Sequence, residues 1–388
     1  MTQQIPIVRY DLLSYLSETL GDTLTKRYIE AVASPQEMYT LHIFNKYEQI
    51  DRIVEILKSH GYSASIHSKF QNLIVTAPRG PFPVNVDDEL KEIIVDNRAS
   101  EMIFQGADVF IPGIKRANKI KKGDMVKVRG QHGIIVAKAE SMMNHSEMLE
   151  LKKGIAAKTI ESRYQVPNII ELGLEKEPVY FQSLPAYLVS MNIKPEPNER
   201  ILDCCAAPGN KTIHLSELTG NKATIIAVDR STKRLSKLEQ KCHQFHLTNI
   251  RTIAGNIIEL SKKWTMKFNK ILVDPPCTAL GLRPKLSIDI SHDMITSITK
   301  YQKAILFACN KLLKEGGYIV YSTCSITTDE NEKVIKYALS DLNLEIVEQE
   351  YVISDLQSLI NTSWPVQRFI PGIHKTVGYF IAKLRKRD

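Results

Sequence analysis

The chain has 388 residues, 43% of them hydrophobic and 24% charged, with a formal charge of +8 and a pI near 9.0. That length leads to an expectation of two or three domains, and the composition is that of an ordinary globular protein. No apolar run reaches the ~18 residues of a membrane span. The six cysteines show no CxxC spacing and no secretion signal precedes them, which argues against a disulfide framework or a zinc ribbon. The expectation is a cytoplasmic monomer without metal or membrane, whose basic balance favours a polyanionic partner.

Residues 1 to about 76 read as a small mixed α/β module, with helical segments near Leu12–Leu20 and Leu24–Val32. Asn45-Lys46-Tyr47-Glu48 resembles a capping box, and Ile50, Ile53, Val54 and Leu57 follow at helical spacing. Runs 38–44, 64–67 and 72–76 read as short strands without evident chemistry. Ala77-Pro78-Arg79-Gly80-Pro81-Phe82-Pro83 reads as a linker, which places a boundary near residue 85.

Residues 86–165 open with an expected helix over 90–97. Glycine-punctuated β runs then follow at 108–111, 125–129 and 133–140. The turn-rich part from Gly113 to Arg129 carries Lys115, Arg116, Lys119, Lys121, Lys122, Lys127 and Arg129 against Asp124. Seven cations less one acid leave +6, a candidate phosphate-contacting surface in which Lys115, Arg116, Lys119, Lys121 and Lys122 are the expected RNA-binding residues. A solvated lysine-rich loop is the alternative. Gly106-Ala107-Asp108-Val109-Phe110-Ile111-Pro112-Gly113-Ile114, Lys122-Gly123-Asp124-Met125-Val126-Lys127-Val128 and Ile135-Val136-Ala137-Lys138-Ala139 together resemble the PUA domain, an RNA-binding module.

From Gln182 onward strands and helices alternate, which points to an α/β parallel sheet. Arg200-Ile201-Leu202-Asp203 reads as a strand, followed by Cys204 to Thr212 as a small-residue turn opening a helix. Such a turn lets backbone approach a ligand, and it matches neither GxGxxG nor a P-loop. Ala223 to Asp229 is a second strand ending in an acid, well placed for ribose hydroxyls, with Arg234 on the ensuing helix. Val273-Asp274-Pro275-Pro276-Cys277-Thr278 ends a third strand abruptly, because neither proline donates to a ladder. Gly317 to Thr323 delivers Cys324 from a further strand, 324 − 277 = 47 residues beyond Cys277. Two thiols share one crevice if those strands are neighbours. Cys204, Cys242 and Cys309 read as structural, and His214, His243, His246 and His292 form no metal-binding spacing.

In this order, Asp203 to Thr212, Ala227 to Arg234, Leu272 to Thr278 and Ser322 to Ile326 resemble the Nop2/Sun family of RNA cytosine-C5 methyltransferases. With the PUA-like segment in front, the chain resembles the branch that methylates the tRNA acceptor stem near the CCA end. The resemblance implies a Rossmann-like S-adenosylmethionine-dependent methyltransferase domain over 166–388, preceded by a β-rich PUA domain over 86–165 and an N-terminal module over 1–85. It implies a cofactor site of Cys205, Ala206, Ala207, Pro208, Gly209, Asn210, Lys211, Asp229, Arg234, Asn256 and Asp274. Asn256 stands where the family usually has aspartate, and Asn210 where it commonly has glycine; asparagine tolerates a left-handed backbone better than most residues, so the turn is expected to survive.

The resemblance implies that Cys324 adds to C6 of cytosine, Asp274 holds the base edge at N3 and N4, and Cys277 helps remove the C5 proton and release Cys324. Lys211 is a candidate for lowering the Cys324 pKa or holding the base. Other readings are methylation of rRNA, an amino-directed methyltransferase, since DPP followed by an aromatic is the nitrogen-methylating signature, and a non-catalytic RNA-binding factor. Cys277 in the aromatic's place disfavours the second, and two cysteines with an intact turn disfavour the third.

Overall fold

In the computed structural model the described residues are 5–45, 49–354, 356, 358–359 and 363–387. The largest sheet is built on Arg200–Asp203, flanked by Thr224–Asp229 and Phe268–Val273, all parallel. It continues to Ile250–Ala254 at one edge and through Leu313–Thr323, Tyr379–Lys386 and Leu344–Val347 toward the other. Tyr379–Lys386 runs antiparallel to each of its partners. The chain winds outward from Arg200–Asp203 and then crosses back to Phe268–Val273, which makes a topological switch point beside residue 203.

Branched aliphatic residues build this sheet because both faces are covered. Leu202, Ile226, Val228, Ile271, Val273 and Ile319 pack on one side with Ile305, Leu306 and Cys309 of the helix His292–Leu312. Ile201, Ile225, Leu272, Val320 and Ile381 pack on the other with Leu184, Leu188 and Ile193 of the helix Leu184–Ile193. Adjacent residues of one strand thus serve opposite cores, as the two-residue strand period requires.

A six-stranded sheet orders Val109–Phe110, Ile155–Ser162, Ile135–Ser141, Met125–Gly130, Lys91–Val95 and Ile114–Ala117. Three sequence expectations change here. The helix expected over 90–97 is the strand Lys91–Val95, and the helix is Asn97–Ile103, started by the Asp96 side chain accepting from Ala99 N at 2.8 Å. Ile93 and Val95 alternate into the core and pair with the strand Met125–Gly130, so tertiary pairing overrides a short apolar run that also fits a helix. The strand expected over 108–111 stops after two residues because Ile111–Gly113 tightens into a 3₁₀ turn around Pro112. The segment expected to be turn-rich includes the edge strand Ile114–Ala117.

A third sheet orders Val179–Phe181, Tyr39–Ile43, Leu73–Thr76 and Ala64–Ile66. Its first strand comes from just before the catalytic sheet and was invisible in the sequence. The helix Ile50–Ser59 buries Ile50, Ile53, Val54 and Leu57 as expected, while residues 46–48 of the expected capping box lie outside the described residues. The helices Tyr10–Leu20 and Asp22–Val32 pack Leu12, Leu16 and Tyr28 against Leu280, Ile295, Ile326 and Ile370. Ile7–Val8 pairs in parallel with Ser287–Ile288, and Tyr28 OH donates to Leu280 O at 2.9 Å. The N-terminal helices therefore brace the segments that follow Cys277 and Cys324.

Candidate active site

Phe268–Val273 and Leu313–Thr323 are parallel neighbours in which Val273 stands opposite Tyr321. One residue on, Asp274 meets Ser322, whose Oγ donates to Asp274 Oδ1 at 2.9 Å. Tyr379 OH donates to the same oxygen at 3.3 Å, and Lys211 Nζ to Oδ2 at 2.7 Å. Three donors thus fix the carboxylate at the sheet rim. Burial pushes the Lys211 ammonium pKa down, but Asp274 and Tyr379 outweigh it and hold Lys211 well above its ordinary value. The pairing of Lys211 with Asp274 makes it a support for that carboxylate.

Past the prolines, the Cys277 and Cys324 sulfurs lie 3.3 Å apart, both half-buried. The hydrogen bond to Cys324, then burial, then the charges of Cys324 and Glu330 push the Cys277 thiol well above its ordinary range. Cys277 therefore carries its proton at neutral pH. Cys204 and Cys309 are buried in the core, consistent with a structural reading.

A cavity of about 580 Å³ opens beside the thiols, lined by Cys204, Cys205, Ala207, Asp229, Arg234, Asn256, Asp274, Cys277 and Cys324. A second, of about 230 Å³, lies across the Cys204–Asn210 turn and is lined by Ala206, Pro208, Gly209, Asn210 and Lys211, sharing Cys205, Ala207 and Asp274 with the first. The structure so divides the expected cofactor residues between two hollows separated by one turn. A larger cleft of about 900 Å³ near Tyr39, Tyr62 and Arg283 contains neither thiol.

The larger of the two hollows beside that turn lies at the end of the strand Thr224–Asp229. Asp229, at the end of the second strand, lines it, with one oxygen accepting from Ala207 N at 3.2 Å and the other from Ser231 N at 2.9 Å. Arg234 reaches back to the Ala207 carbonyl and lies 3.7 Å from Asp229. Asn256 starts the helix Ile257–Lys263, its Oδ1 accepting from Ile258 N at 3.0 Å. The left-handed residue of the turn is Gly209, with φ of 106°, and not Asn210, which begins the helix Asn210–Leu218 and donates to Phe181 O at 2.8 Å. A side chain at 209 would also strike Leu238.

Sequence reasoning missed Ser322, Tyr379, Thr278 and Asp203 as site groups. Asp203 is buried under the turn and accepts from Thr212 Oγ1 at 2.7 Å, while its other oxygen has no side-chain partner among the described residues. Burial first, only partly offset by Thr212 and Lys211, pushes its carboxyl up to about 7. Because the folded value lies above the ordinary ~3.9, the folded state binds the proton more tightly and stability falls as pH rises from about 4 through 7. Asp203→Asn is expected to flatten the thermal-stability profile across that interval, a change on the order of a few kcal/mol measured by melting at pH 5 and pH 8.

Of the expected RNA-contacting cations, Lys115, Arg116, Lys119, Lys121 and Lys122 are exposed. Lys127 is buried with Nζ donating to Asp88 O at 2.7 Å, and Arg129 pairs with Glu92 at 2.5 Å. The +6 run thus contributes five free-facing cations, because alternate residues of a strand point to opposite sides. Among the described residues one cluster has metal-ligating chemistry, His42, His214 and Glu217, which lies under the third sheet and away from the thiols. His42 Nε2 stands 2.9 Å from Glu217 Oε2, which joins the sheet to the helix Asn210–Leu218.

The model of the 16S rRNA methyltransferase RsmB/F family matches residues 190–385, and that of the PUA domain matches 91–162. A tRNA (cytosine(72)-C(5))-methyltransferase of Pyrococcus horikoshii is 32% identical over 97% of this chain and 96% of its own. The crystal structure of NSun6 from Pyrococcus horikoshii with SFG superimposes with a TM-score of 0.89 at 31% identity, covering 98% of this chain and 99% of that one. A human 28S rRNA (cytosine(4447)-C(5))-methyltransferase is 33% identical but over 53% of this chain and 27% of its own. The chain belongs to the RsmB/F, or Nop2/Sun, family of S-adenosylmethionine-dependent RNA cytosine-C5 methyltransferases and carries a PUA domain ahead of the catalytic sheet.

Proposed function

We propose that the protein methylates C5 of a cytidine in the acceptor stem of a tRNA, near the CCA end, through a covalent adduct with Cys324. The observation that carries the chemistry is the pair of sulfurs 3.3 Å apart beside a carboxylate held by three donors. Support for tRNA is the 32% identity over 97% of the chain to a relative named for it, against 33% over 53% for a human rRNA enzyme and 23% over 78% for one of Arabidopsis thaliana. We read residues 1–85 as an accessory module, 86–165 as the RNA-binding PUA unit and 166–388 as the catalytic unit, acting in the cytoplasm as a monomer. Lys115, Arg116, Lys119, Lys121 and Lys122 contact phosphates in this reading, so binding weakens steeply with salt.

The cofactor site in this reading is formed by Cys205 to Lys211, Asp229, Arg234, Asn256 and Asp274, and S-adenosylmethionine bound there supplies an electrophilic methyl group. C5 of cytosine is a poor nucleophile. Addition of the Cys324 thiolate to C6 turns the ring into an enamine whose C5 attacks. Asp274, steadied by Lys211, accepts from the N4 amine and from the N3–H that forms when N3 takes a proton from solvent as the thiolate adds.

Formation of the S–C6 bond removes the charge of Cys324, one of the causes that hold Cys277 protonated. Cys277 then gives its proton to solvent more easily and, as the thiolate, takes the C5 proton. The C5–H electrons re-form the C5=C6 bond, the C6–S bond breaks, N3 releases its proton and the Cys324 thiolate returns. Parallel incubations of transcribed tRNA and rRNA with labelled cofactor, followed by mass spectrometry of nucleosides, are expected to yield 5-methylcytidine in the tRNA acceptor stem. Recovery of N4-methylcytidine, or label only in rRNA, would refute the assignment.

A further inference from the structure

Glu330 is fully buried, and among the described residues no lysine or arginine pairs with it. Its charge is held by five neutral donors. Oε1 accepts from Thr278 N at 2.8 Å and Gln302 Nε2 at 3.2 Å. Oε2 accepts from Thr278 Oγ1 at 2.6 Å, Ser325 Oγ at 2.5 Å and Thr327 Oγ1 at 2.9 Å. Thr278 follows Cys277 and Ser325 follows Cys324, and these two hydroxyls also lie 3.0 Å apart. Gln302 in turn donates to Pro276 O at 3.0 Å, on the other side of Cys277. A single carboxylate therefore ties together the two loops that present the sulfurs.

A buried carboxylate is a costly brace, tolerable only because hydrogen bonds to a charged group are strong enough to offset its desolvation. Apolar packing would hold two loops together at less expense. It would not define the direction of two adjacent loops through five bonds, nor put a negative charge beside a thiol. Asn331 extends the clamp, accepting from Thr323 Oγ1 at 2.5 Å and donating to Ser325 O at 3.1 Å, so the turn at Cys324 is gripped at both ends.

We propose that Glu330 is a positioning residue for the methyl-transfer reaction, which sets the distance and direction between the Cys277 and Cys324 sulfurs by clamping Thr278 and Ser325. This rests on the roles given to the two thiols under the proposed function. Misplacing a reacting group by about 1 Å costs on the order of 10²-fold in rate. Neither sulfur touches Glu330 in this account; it acts through the backbone of both loops and, at Cys277, through its charge.

Glu330→Gln is the test, because the amide oxygen keeps Thr278 N and Gln302 while the amide nitrogen, with two hydrogens, donates to only two of the three hydroxyls. The expected result at saturating tRNA and cofactor is a single-turnover rate lowered about 10- to 100-fold. The KM for cofactor is expected to stay within about threefold, and the acid limb of the pH–rate profile to move to lower pH as the neighbouring negative charge is lost. Glu330→Asp keeps the charge and loses the reach, so its rate falls while its pH profile stays in place. Activity that falls only in proportion to folded protein, with rate per folded molecule and pH profile unchanged, overturns the proposal.

If Glu330→Gln does not fold, Thr278→Val and Ser325→Ala each remove one donor and are expected to slow transfer about three- to tenfold. Wild-type rates in both overturn it equally. Cys324→Ala run alongside keeps the outcomes separate: methyl transfer by that variant refutes the thiol assignment, whatever Glu330 does.

Discussion

Cys324→Ala is expected to abolish methyl transfer and to form no covalent complex with RNA, whereas Cys277→Ala is expected to trap protein and tRNA as an adduct that survives denaturation. The first effect follows because without the sulfur nothing adds to C6, and C5 remains unreactive. The second follows because addition and transfer need only Cys324, while loss of the C5 proton and escape of Cys324 are left without the adjacent thiol at 3.3 Å. Loss of such a proton transfer costs typically 10²- to 10⁴-fold in turnover. Denaturing gel electrophoresis with labelled tRNA reads both outcomes at once. An adduct in the Cys324 variant and none in the Cys277 variant would exchange the two roles.

The second large effect is on stability. Arg368 and Glu332 are both fully buried and form a two-pronged pair, Nε to Oε1 at 2.9 Å and Nη2 to Oε2 at 2.7 Å. The remaining arm of Arg368 donates to Ile326 O at 2.7 Å, two residues beyond Cys324. Removing one partner strands a charge without water, so Arg368→Ala is expected to lower unfolding free energy by about 3–5 kcal/mol. Arg368→Met combined with Glu332→Leu is expected to recover most of that loss, since no charge is then left alone. Denaturant titration measures both. Recovered stability without recovered activity in the double variant would mean that the tie to Ile326 also serves the Cys324 turn.

The catalytic half was legible because its signals are local. A branched run that ends in Asp-Pro-Pro stops as a strand wherever it lies, and a small-residue turn before a helix presents backbone to a ligand in any α/β sheet. The run Lys91–Val95 was misread because five residues with apolar side chains at 93–95 fit helix and strand alike, and only the partner strand Met125–Gly130 decides between them. The same limit applied to Lys127 and Arg129, whose charges counted in the sequence but whose strand directs them to Asp88 and Glu92.

Residue type and order carried the resemblance that points to the reaction: Asp274, Cys277 and Cys324 at strand ends, the Cys204–Asn210 turn and the acid Asp229. The tertiary structure alone decided that Lys211, Ser322 and Tyr379 converge on Asp274, that Val179–Phe181 joins a sheet begun at Tyr39, and that Glu330 binds both thiol loops. Thr278 and Glu330 lie 52 residues apart, and Tyr379 and Asp274 lie 105 apart. Periodicity and turn chemistry act over a few residues along the chain. Burial of the sheet's two faces brings such distant side chains together, and no local pattern records it.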